Sequence, residues 1–501
     1  MPDVRLASSQ GRWVLFTTVL GSSMALLDST VVNVALPRIG RDLDADLAVL
    51  QWTVNAYLLT LAGLILLGGS LGDRYGRRKV FVVGVVWFAA ASLLCGLAPN
   101  AAVLVAARAL QGVGGALLTP GSLALIQASF HSEDRGRAVG LWSGFGGIGA
   151  AVGPFLGGWL VDGPGWRWVF WLNVPLALVC VPVALRHVPE SSRAGTAAGG
   201  DATGKSRAGG GFDALGALLG ASALALVTYA LIEAGSGSPG VVAGAAVLGV
   251  AAGAAFVAVE RRSPDPMLPL GIFASRQFTA VNLVTLCVYA AFGGFFFLCV
   301  VQLQVVVGWS ALGAGTALLP TTVLMLLLSA RSGELATRIG PRIPLTVGPL
   351  LCAAGMLLMR RVGPDASYAG DVLPGVLVLG VGMVALVAPL TATVLASVDV
   401  SRAGIASGVN NAAARAAGLV AVAALPLLTG MGPEAYRSAP AFDEAFRKAM
   451  ALCAGVLVLG AVIAFTTVRR LPPDCRRPEC RTHGSVLAPP LEGERPNKRL
   501  T

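Results

Sequence analysis

The chain has 501 residues, of which 55% are apolar and only 13% charged, and its mean hydropathy is +0.74. Water-soluble domains carry roughly 25% charged residues, so the composition excludes a soluble globule and points to a polytopic membrane protein. The formal net charge of +11 does not mark a nucleic-acid binder, because the basic residues are spread over short loops where orientation bias and anionic lipid account for them.

Apolar runs of about 18 residues or more are long enough to cross a bilayer. Such spans are expected at 13–36, 50–71, 80–98, 101–124, 138–161, 168–186 and 212–232. Seven more are expected at 240–259, 279–305, 311–330, 343–359, 374–396, 405–428 and 448–468. In lipid each must be a helix, since an unpaired backbone group there is costly. The first span is too long, and too polar at Ser29, Thr30 and Asn33, for a signal peptide. The expected fold is therefore all-α and polytopic, with fourteen transmembrane helices.

With the N-terminus inside, 27 of the 37 Lys and Arg fall on the cytoplasmic side and 8 outside. The remaining two, Arg108 and Arg415, lie inside spans. The positive-inside bias thus places both termini in the cytoplasm, with Arg360 and Arg361 as local exceptions. Six of the eight cysteines sit in spans as small apolar residues. Cys475, Cys480 and His483 have poor spacing for a metal site, and no metal is expected. No G-x-x-x-x-G-K-[ST] loop is present, so neither direct ATP drive nor a cofactor is expected.

The loop after the second span reads Leu71-Gly72-Asp73-Arg74-Tyr75-Gly76-Arg77-Arg78-Lys79, and the loop after the tenth reads Leu335-Ala336-Thr337-Arg338-Ile339-Gly340-Pro341-Arg342. Leu, Arg, Gly and Arg recur at the same spacing. Gly112-Val113-Gly114 with Pro120 in the fourth span echoes Gly380-Val381-Gly382 with Pro389 in the twelfth. An offset of eight spans within fourteen implies six helices, a two-helix insert and six more, an architecture of parallel repeats found in secondary transporters. The expected divisions are an N-terminal bundle at 1–189, a cytoplasmic linker at 190–211, and an insert with its following loop at 212–277. A C-terminal bundle at 278–468 and a disordered cytoplasmic tail at 469–501 follow. Asp73, Arg74, Gly76, Arg77 and Arg78 read as a helix-end lock on the cytoplasmic side, with Asp73 near the start of the following helix. Arg338 and Arg342 form a weaker counterpart, because Thr337 stands where Asp73 stands in the first half. A plain basic anchor loop is the alternative.

These motifs resemble the major facilitator superfamily, and within it the fourteen-span drug:proton antiporters, from Trp13 to Val468. Gly69 through Lys79 matches the superfamily's loop 2–3 motif, and Arg108-Ala109-Leu110-Gln111-Gly112-Val113-Gly114-Gly115 its span-4 motif. Gly149-Ala150-Ala151-Val152-Gly153-Pro154-Phe155-Leu156-Gly157-Gly158 matches the span-5 motif associated with exporters. Leu27 through Pro37, and Trp166-Arg167-Trp168-Val169-Phe170 through Asn173-Val174-Pro175, are similar to the fourteen-span subgroup.

Asp28 is the one carboxylate expected near the middle of a span. Burial disfavours the charged form of a carboxylate, so Asp28 is suited to take a proton from one side and release it to the other. It can also attract a cationic substrate; a cap, or a packing partner for Asn33, is the structural alternative. Arg108 is permanently charged and is expected to sense the state of Asp28, which agrees with the proton-transfer role the resemblance implies for it; bonding helix-end carbonyls is the alternative. Gly149, Gly153, Gly157 and Gly158, with Pro154, form a small-residue stripe that lets helices approach closely, either to seal the two halves or for static packing. Candidate cavity residues are Asn33, Gln51, Asn55, Tyr57, Gln111, Asn282, Tyr289, Gln302, Gln304, Asn411 and Arg415, with Trp52, Trp142, Phe292 and Phe296 as aromatic walls. The span at 311–330 contains no carboxylate, which lowers the case for dicationic substrates.

The expected function is proton-coupled efflux of amphipathic, cationic or neutral, drugs or antibiotics by alternating access, not catalysis. A dedicated exporter of one metabolite or self-made antibiotic is the alternative, and a non-transporting sensor a remote one. The implied partners are protons, a small organic substrate and anionic lipids, with no nucleic acid and a monomeric state. The Arg-, Ala- and Gly-rich composition suggests a bacterial cytoplasmic membrane.

Overall fold

The computed structural model describes residues 4–191, 213–263, 266, 268–398, 403–432 and 438–468. The expected linker lies outside the described residues from 192 onward, as does the tail at 469–501 with Cys475, Cys480 and His483.

Polar caps start many of the helices. Ser8, Asp46 and Asn100 accept backbone N–H groups at the starts of α1 (Ser9–Asp42), α2 (Leu47–Tyr75) and α4 (Ala101–Ser129), satisfying donors that have no intrahelical partner. Between them α3 (Arg77–Gly96) is separated from α2 by Gly76 alone, at φ 109°. Then come α5 (Ser132–Asp162) and the pair α6 (Arg167–Trp171) and α7 (Asn173–His187). Helices α8 (Ala214–Ile232) and α9 (Pro239–Arg262) follow. The second group opens with α10 (Arg276–Val301), which continues as a π-turn over Gln302–Val306. It proceeds through α11 (Ala311–Ala317), α12 (Leu319–Ile339), α13 (Arg342–Met359) and α14 (Leu373–Ala396) to α15 (Ala403–Thr429) and α16 (Ala439–Thr467).

Among the described residues 13 segments are long and apolar enough to cross a bilayer, counting α6 with α7 and α11 with α12. The 31-residue α5 makes the fourteenth. Helices α1 to α7 pack on one another, α10 to α16 do likewise, and α8 lies against α9, α2 and α15. Exposed Leu178, Val247, Leu248, Val250 and Leu327 belong to an apolar outer surface of the kind that faces lipid.

Several boundaries differ from the sequence expectation. Helix α16 begins at Ala439 rather than 448, because the i,i+4 pairs Asp443–Arg447 and Glu444–Lys448 support a helical turn beyond the apolar run. Helix α12 runs to Ile339 on a similar pair, Glu334–Arg338. The expected sixth span is divided at Leu172 into α6 and α7, with the backbone of Leu172 itself still helical. Helix α2 extends to Tyr75, so Asp73 lies in its last turn and not at the start of the next helix.

Candidate functional site

Five helices of the first bundle converge on Asp28, which is 2% exposed, and Arg108, which is 1% exposed. The Arg108 Nη1 donates to Asp28 Oδ2 at 2.5 Å and to Gln111 Oε1 at 2.7 Å, and its Nε donates to the Thr53 carbonyl at 2.9 Å. Gln111 Nε2 donates to Asp28 Oδ1 at 2.7 Å and to Ser92 Oγ at 3.2 Å. Asn173 Nδ2 donates to Ser92 Oγ at 3.0 Å and, more weakly, to Asp28 Oδ1 at 3.4 Å. The Ser92 hydroxyl in turn donates to the Phe170 carbonyl at 2.8 Å.

Helix geometry explains this convergence. Arg108 and Gln111 are three residues apart on one face of α4. Residues 112 and 114 must be glycine: a Cβ at Gly112 would run into Tyr57 and Thr60 of α2, and one at Gly114 would lie 2.6 Å from the Phe88 nitrogen of α3. The glycines therefore draw α2 and α3 onto α4. Phe170 and Asn173, three residues apart on the face shared by α6 and α7, both meet Ser92. Above the guanidinium the Tyr57 ring lies 4.4 Å from Arg108 Cζ, a cation–π contact, and the Tyr57 hydroxyl donates to the Ala25 carbonyl at 3.3 Å.

Asp28 is thus a partner of Arg108 and Gln111 rather than a cap for Asn33. In this arrangement it does not meet a substrate cation, because the cage covers it. Gln111 belongs to the cage, and Tyr57 covers it. Sequence reasoning singled out Asp28, Arg108 and Gln111 but missed Ser92 and the part played by Asn173, which it noted only within a motif.

The other expected residues divide among three places. At the ends of α2 and α3, Arg77 donates to Asp73 through Nε at 2.9 Å and Nη2 at 2.8 Å. Arg78 donates to the Val188 carbonyl at the end of α7. Glu190, which the sequence did not flag, accepts from the backbone N–H groups of Arg78 and Lys79, capping α3. Arg74 is exposed beside Tyr75, Arg338 pairs with Glu334, and Arg342 lies over the Phe465 ring.

At the opposite end the two bundles meet. Gln51 donates to the carbonyls of Val422 and Ala423 at 2.6 and 3.2 Å, and Gln304 donates to the Val34 carbonyl at 2.9 Å. The Asp162 carboxylate accepts from the N–H groups of Ala311 and Leu312 at the start of α11. Among the described residues, all hydrogen bonds between the bundles lie at this end. Pro154 and Gly158 of α5 touch α11, where a Cβ at Gly158 would meet Leu312, whereas Gly149, Gly153 and Gly157 face Ser23, Thr30 and Val31 of α1. Trp52 donates to Glu233 beyond α8, and Gln302 to the Val362 carbonyl and Asp443.

Between these levels lie the remaining candidates. Trp142 is held by Ser22 of α1 at 2.9 Å. Asn282 is buried within the second bundle and accepts from Asn410 at 3.2 Å. Tyr289, Phe292 and Phe296 step along α10 with ring centroids 6.2 Å apart at each step. Asn411 is exposed. Asn33 Oδ1, both side-chain polar atoms of Asn55, and Arg415 Nε are buried without a hydrogen-bond partner.

Residues 18–423 match the family model of the Major Facilitator Superfamily, and the chain belongs to that superfamily. It is 37% identical over 477 residues to the puromycin resistance protein pur8 of Streptomyces alboniger, covering 91% of each chain. It is also 34% identical to the tetracenomycin C resistance and export protein of Streptomyces glaucescens, over 83% of this chain and 75% of that one. Its fold is similar to that of a POT family transporter solved in complex with 5-aminolevulinic acid, with a TM-score of 0.66 and 15% identity over 92% of this chain and 97% of the other. The protein is a many-span membrane transporter.

Proposed function

We propose that the chain exports small amphipathic organic compounds from a bacterial cell in exchange for protons, by alternating access. The observation that carries this reading is the buried Asp28–Arg108 pair, a carboxylate and a guanidinium held against each other inside the first bundle. The printed names of the relatives, resistance and export proteins, support the direction of transport.

The positive-inside distribution supports an orientation with both termini in the cytoplasm. On that orientation the hydrogen bonds that join the bundles, from Gln51 and Gln304 and to Asp162, lie at the outer face, as an inward-open state requires. Residues 1–189 and 278–468 then rock against each other, with 190–211 as linker, 212–277 as insert and 469–501 as tail. The basic cytoplasmic loops meet anionic lipid, and one chain, holding both bundles, acts as a monomer. In the outward-open state Asp73, Arg74, Gly76, Arg77 and Arg78 would close the inner face against the segment carrying Arg338 and Arg342.

Protonation converts Asp28 from an acceptor of three hydrogen-bond donors into a neutral group with one donor of its own. Arg108 then loses its counter-charge, and the bonds joining α1, α3, α4 and α7 must rearrange. Packed interfaces of this kind switch between discrete arrangements rather than deform continuously, which couples a proton event to the tilt of α1 against α5 and α10.

Inverted membrane vesicles with an imposed pH gradient test this reading, using a panel of cationic, neutral and anionic fluorescent compounds. Gradient-dependent accumulation by the wild type and its loss in Asp28→Asn are expected. Accumulation that survives in Asp28→Asn would remove Asp28 from the coupling.

A further inference from the structure

Arg415 stands at the middle of α15, a permanent cation in a membrane span. Its Nε is buried without a partner, and among the described residues no carboxylate or carbonyl accepts from its guanidinium. Arg108, by contrast, is neutralised by Asp28. An intramembrane arginine normally pairs with another group and marks a substrate or ion pathway.

The surroundings identify what is missing. Val422, seven residues further along α15, accepts from Gln51 in the outer seal, so Arg415 lies about 10 Å deeper, at 1.5 Å per residue. Asn411, one turn toward the inner face, is exposed. Helices α10 and α15 cross where Gly293 meets Gly418, with a Cβ on Gly293 only 2.7 Å from the Gly418 Cα. That crossing places the Tyr289 backbone 3.7 Å from a Cβ built on Gly418, one turn from Arg415, and α15 also packs on α2 of the other bundle. Arg415 therefore stands on a helix that borders both bundles, below the seal. From Tyr289 the rings of Phe292 and Phe296 continue along α10. Asn55, fully buried on the α2 face that meets α15, leaves both side-chain polar atoms unused.

We propose that Arg415 is the anion-binding residue of the substrate site, taking a carboxylate or comparably acidic oxygen of an aromatic compound whose ring lies along Tyr289, Phe292 and Phe296. A guanidinium offers a planar fork that matches a carboxylate bidentately. The site then carries one uncompensated positive charge, the reverse of the cation preference that Asp28 suggests from sequence. This inference deepens the export reading and rests on it for the direction of movement.

The test uses rhodamine 110 and its methyl ester rhodamine 123, which share one ring system and differ in a free carboxylate. Binding to the purified full-length protein is read by fluorescence anisotropy for wild type, Arg415→Gln and Arg415→Lys. Wild type should bind the free acid about tenfold or more tighter than the ester, the worth of one charge-assisted contact. Arg415→Gln should bring the ratio to near one, and Arg415→Lys should keep part of it. The thermal midpoint of Arg415→Gln should equal or exceed that of wild type, since an unpaired buried charge is removed. A ratio near one in wild type, a ratio that persists in Arg415→Gln, or a lowered midpoint showing a brace would each overturn the proposal. Gradient-driven uptake of the two dyes into inverted vesicles is read separately. A carboxylate preference in binding without gradient-driven movement would sink the export reading alone; movement of both dyes without that preference would sink only this one.

Discussion

Asp28 and Arg108 are each tolerable in the membrane only because the other is there. Removing one partner of a buried pair leaves an uncompensated charge and costs about 3–5 kcal/mol, whereas replacing both is much milder. Asp28→Asn and Arg108→Gln should therefore each lower stability to unfolding in mixed detergent by about that amount. The double variant should recover most of the loss, and additivity within about 0.5 kcal/mol would show that the two side chains do not interact. A second residue-scale test concerns Gly76, whose φ of 109° disfavours any side chain and whose added Cβ would sit 2.7 Å from Glu190 Oε1. Gly76→Ala should cost about 1–2 kcal/mol and release the α3 cap, while Glu190→Gln alone should cost less. Equal losses in the two would mean that the backbone at Gly76 is unstrained. The sequence made Asp28 and Arg108 legible because a charge in an apolar run has no other ready explanation. Ser92 was invisible for the opposite reason: a serine in an apolar helix can bond its own preceding turn, as Ser122 does, and nothing local distinguishes the two cases. Glu190 was missed because it falls where the chain reads as the start of a linker.

Helix α5 shows what a motif can and cannot convey about an element. Its glycines at four-residue spacing announce close packing, but which neighbour each one meets depends on the rotation of the helix between two bundles. Gly149, Gly153 and Gly157 lie on α1, inside one bundle, and Gly158 with Pro154 lies on α11 of the other. The contacts of the stripe are therefore divided by face, three glycines against α1 and one, with Pro154, against α11. Gly153→Val should overpack the α1–α5 contact and lower stability by about 1–3 kcal/mol without changing the distance between bundles. Gly158→Val should leave each bundle intact and force their outer ends apart, which spin-label distances across that face would register. If Gly153→Val moves the bundles and Gly158→Val does not, the division of faces is wrong. The span count was legible from apolar length alone. The ends of α12 and α16 were not, because Glu334–Arg338, Asp443–Arg447 and Glu444–Lys448 carry helix past the apolar run with charges that read as loop.

At the scale of the whole molecule, the two bundles are joined by a few polar contacts at one end. Internal repeats made the two-bundle plan readable in the sequence, but the closed end depends on long-range pairs such as Gln304 with Val34, 270 residues apart, which no local pattern reveals. Asp162 is the most informative of these pairs. Its carboxylate accepts from Ala311 and Leu312 at 3.2 and 2.8 Å, so one bundle caps the first turn of a helix in the other, alongside that helix's own Ser310 cap. Charge at a helix N-terminus and loss of a capping acceptor are each worth about 1 kcal/mol. This contact exists only while the outer end is closed, so its loss acts on the conformational equilibrium rather than on folding. Asp162→Ala should shift the ratio of outward-open to inward-open molecules by about 5- to 30-fold, with little change in unfolding stability. The measurement is an electron–electron resonance distance distribution between labels at Arg41→Cys and Gly432→Cys, with Cys475 and Cys480 replaced by serine. A longer-distance population should grow in Asp162→Ala, and Asp162→Asn, which keeps one acceptor oxygen, should fall between. An unchanged distribution would mean that Asp162 caps α11 without holding the bundles together, and that Gln51 and Gln304 alone close the outer face.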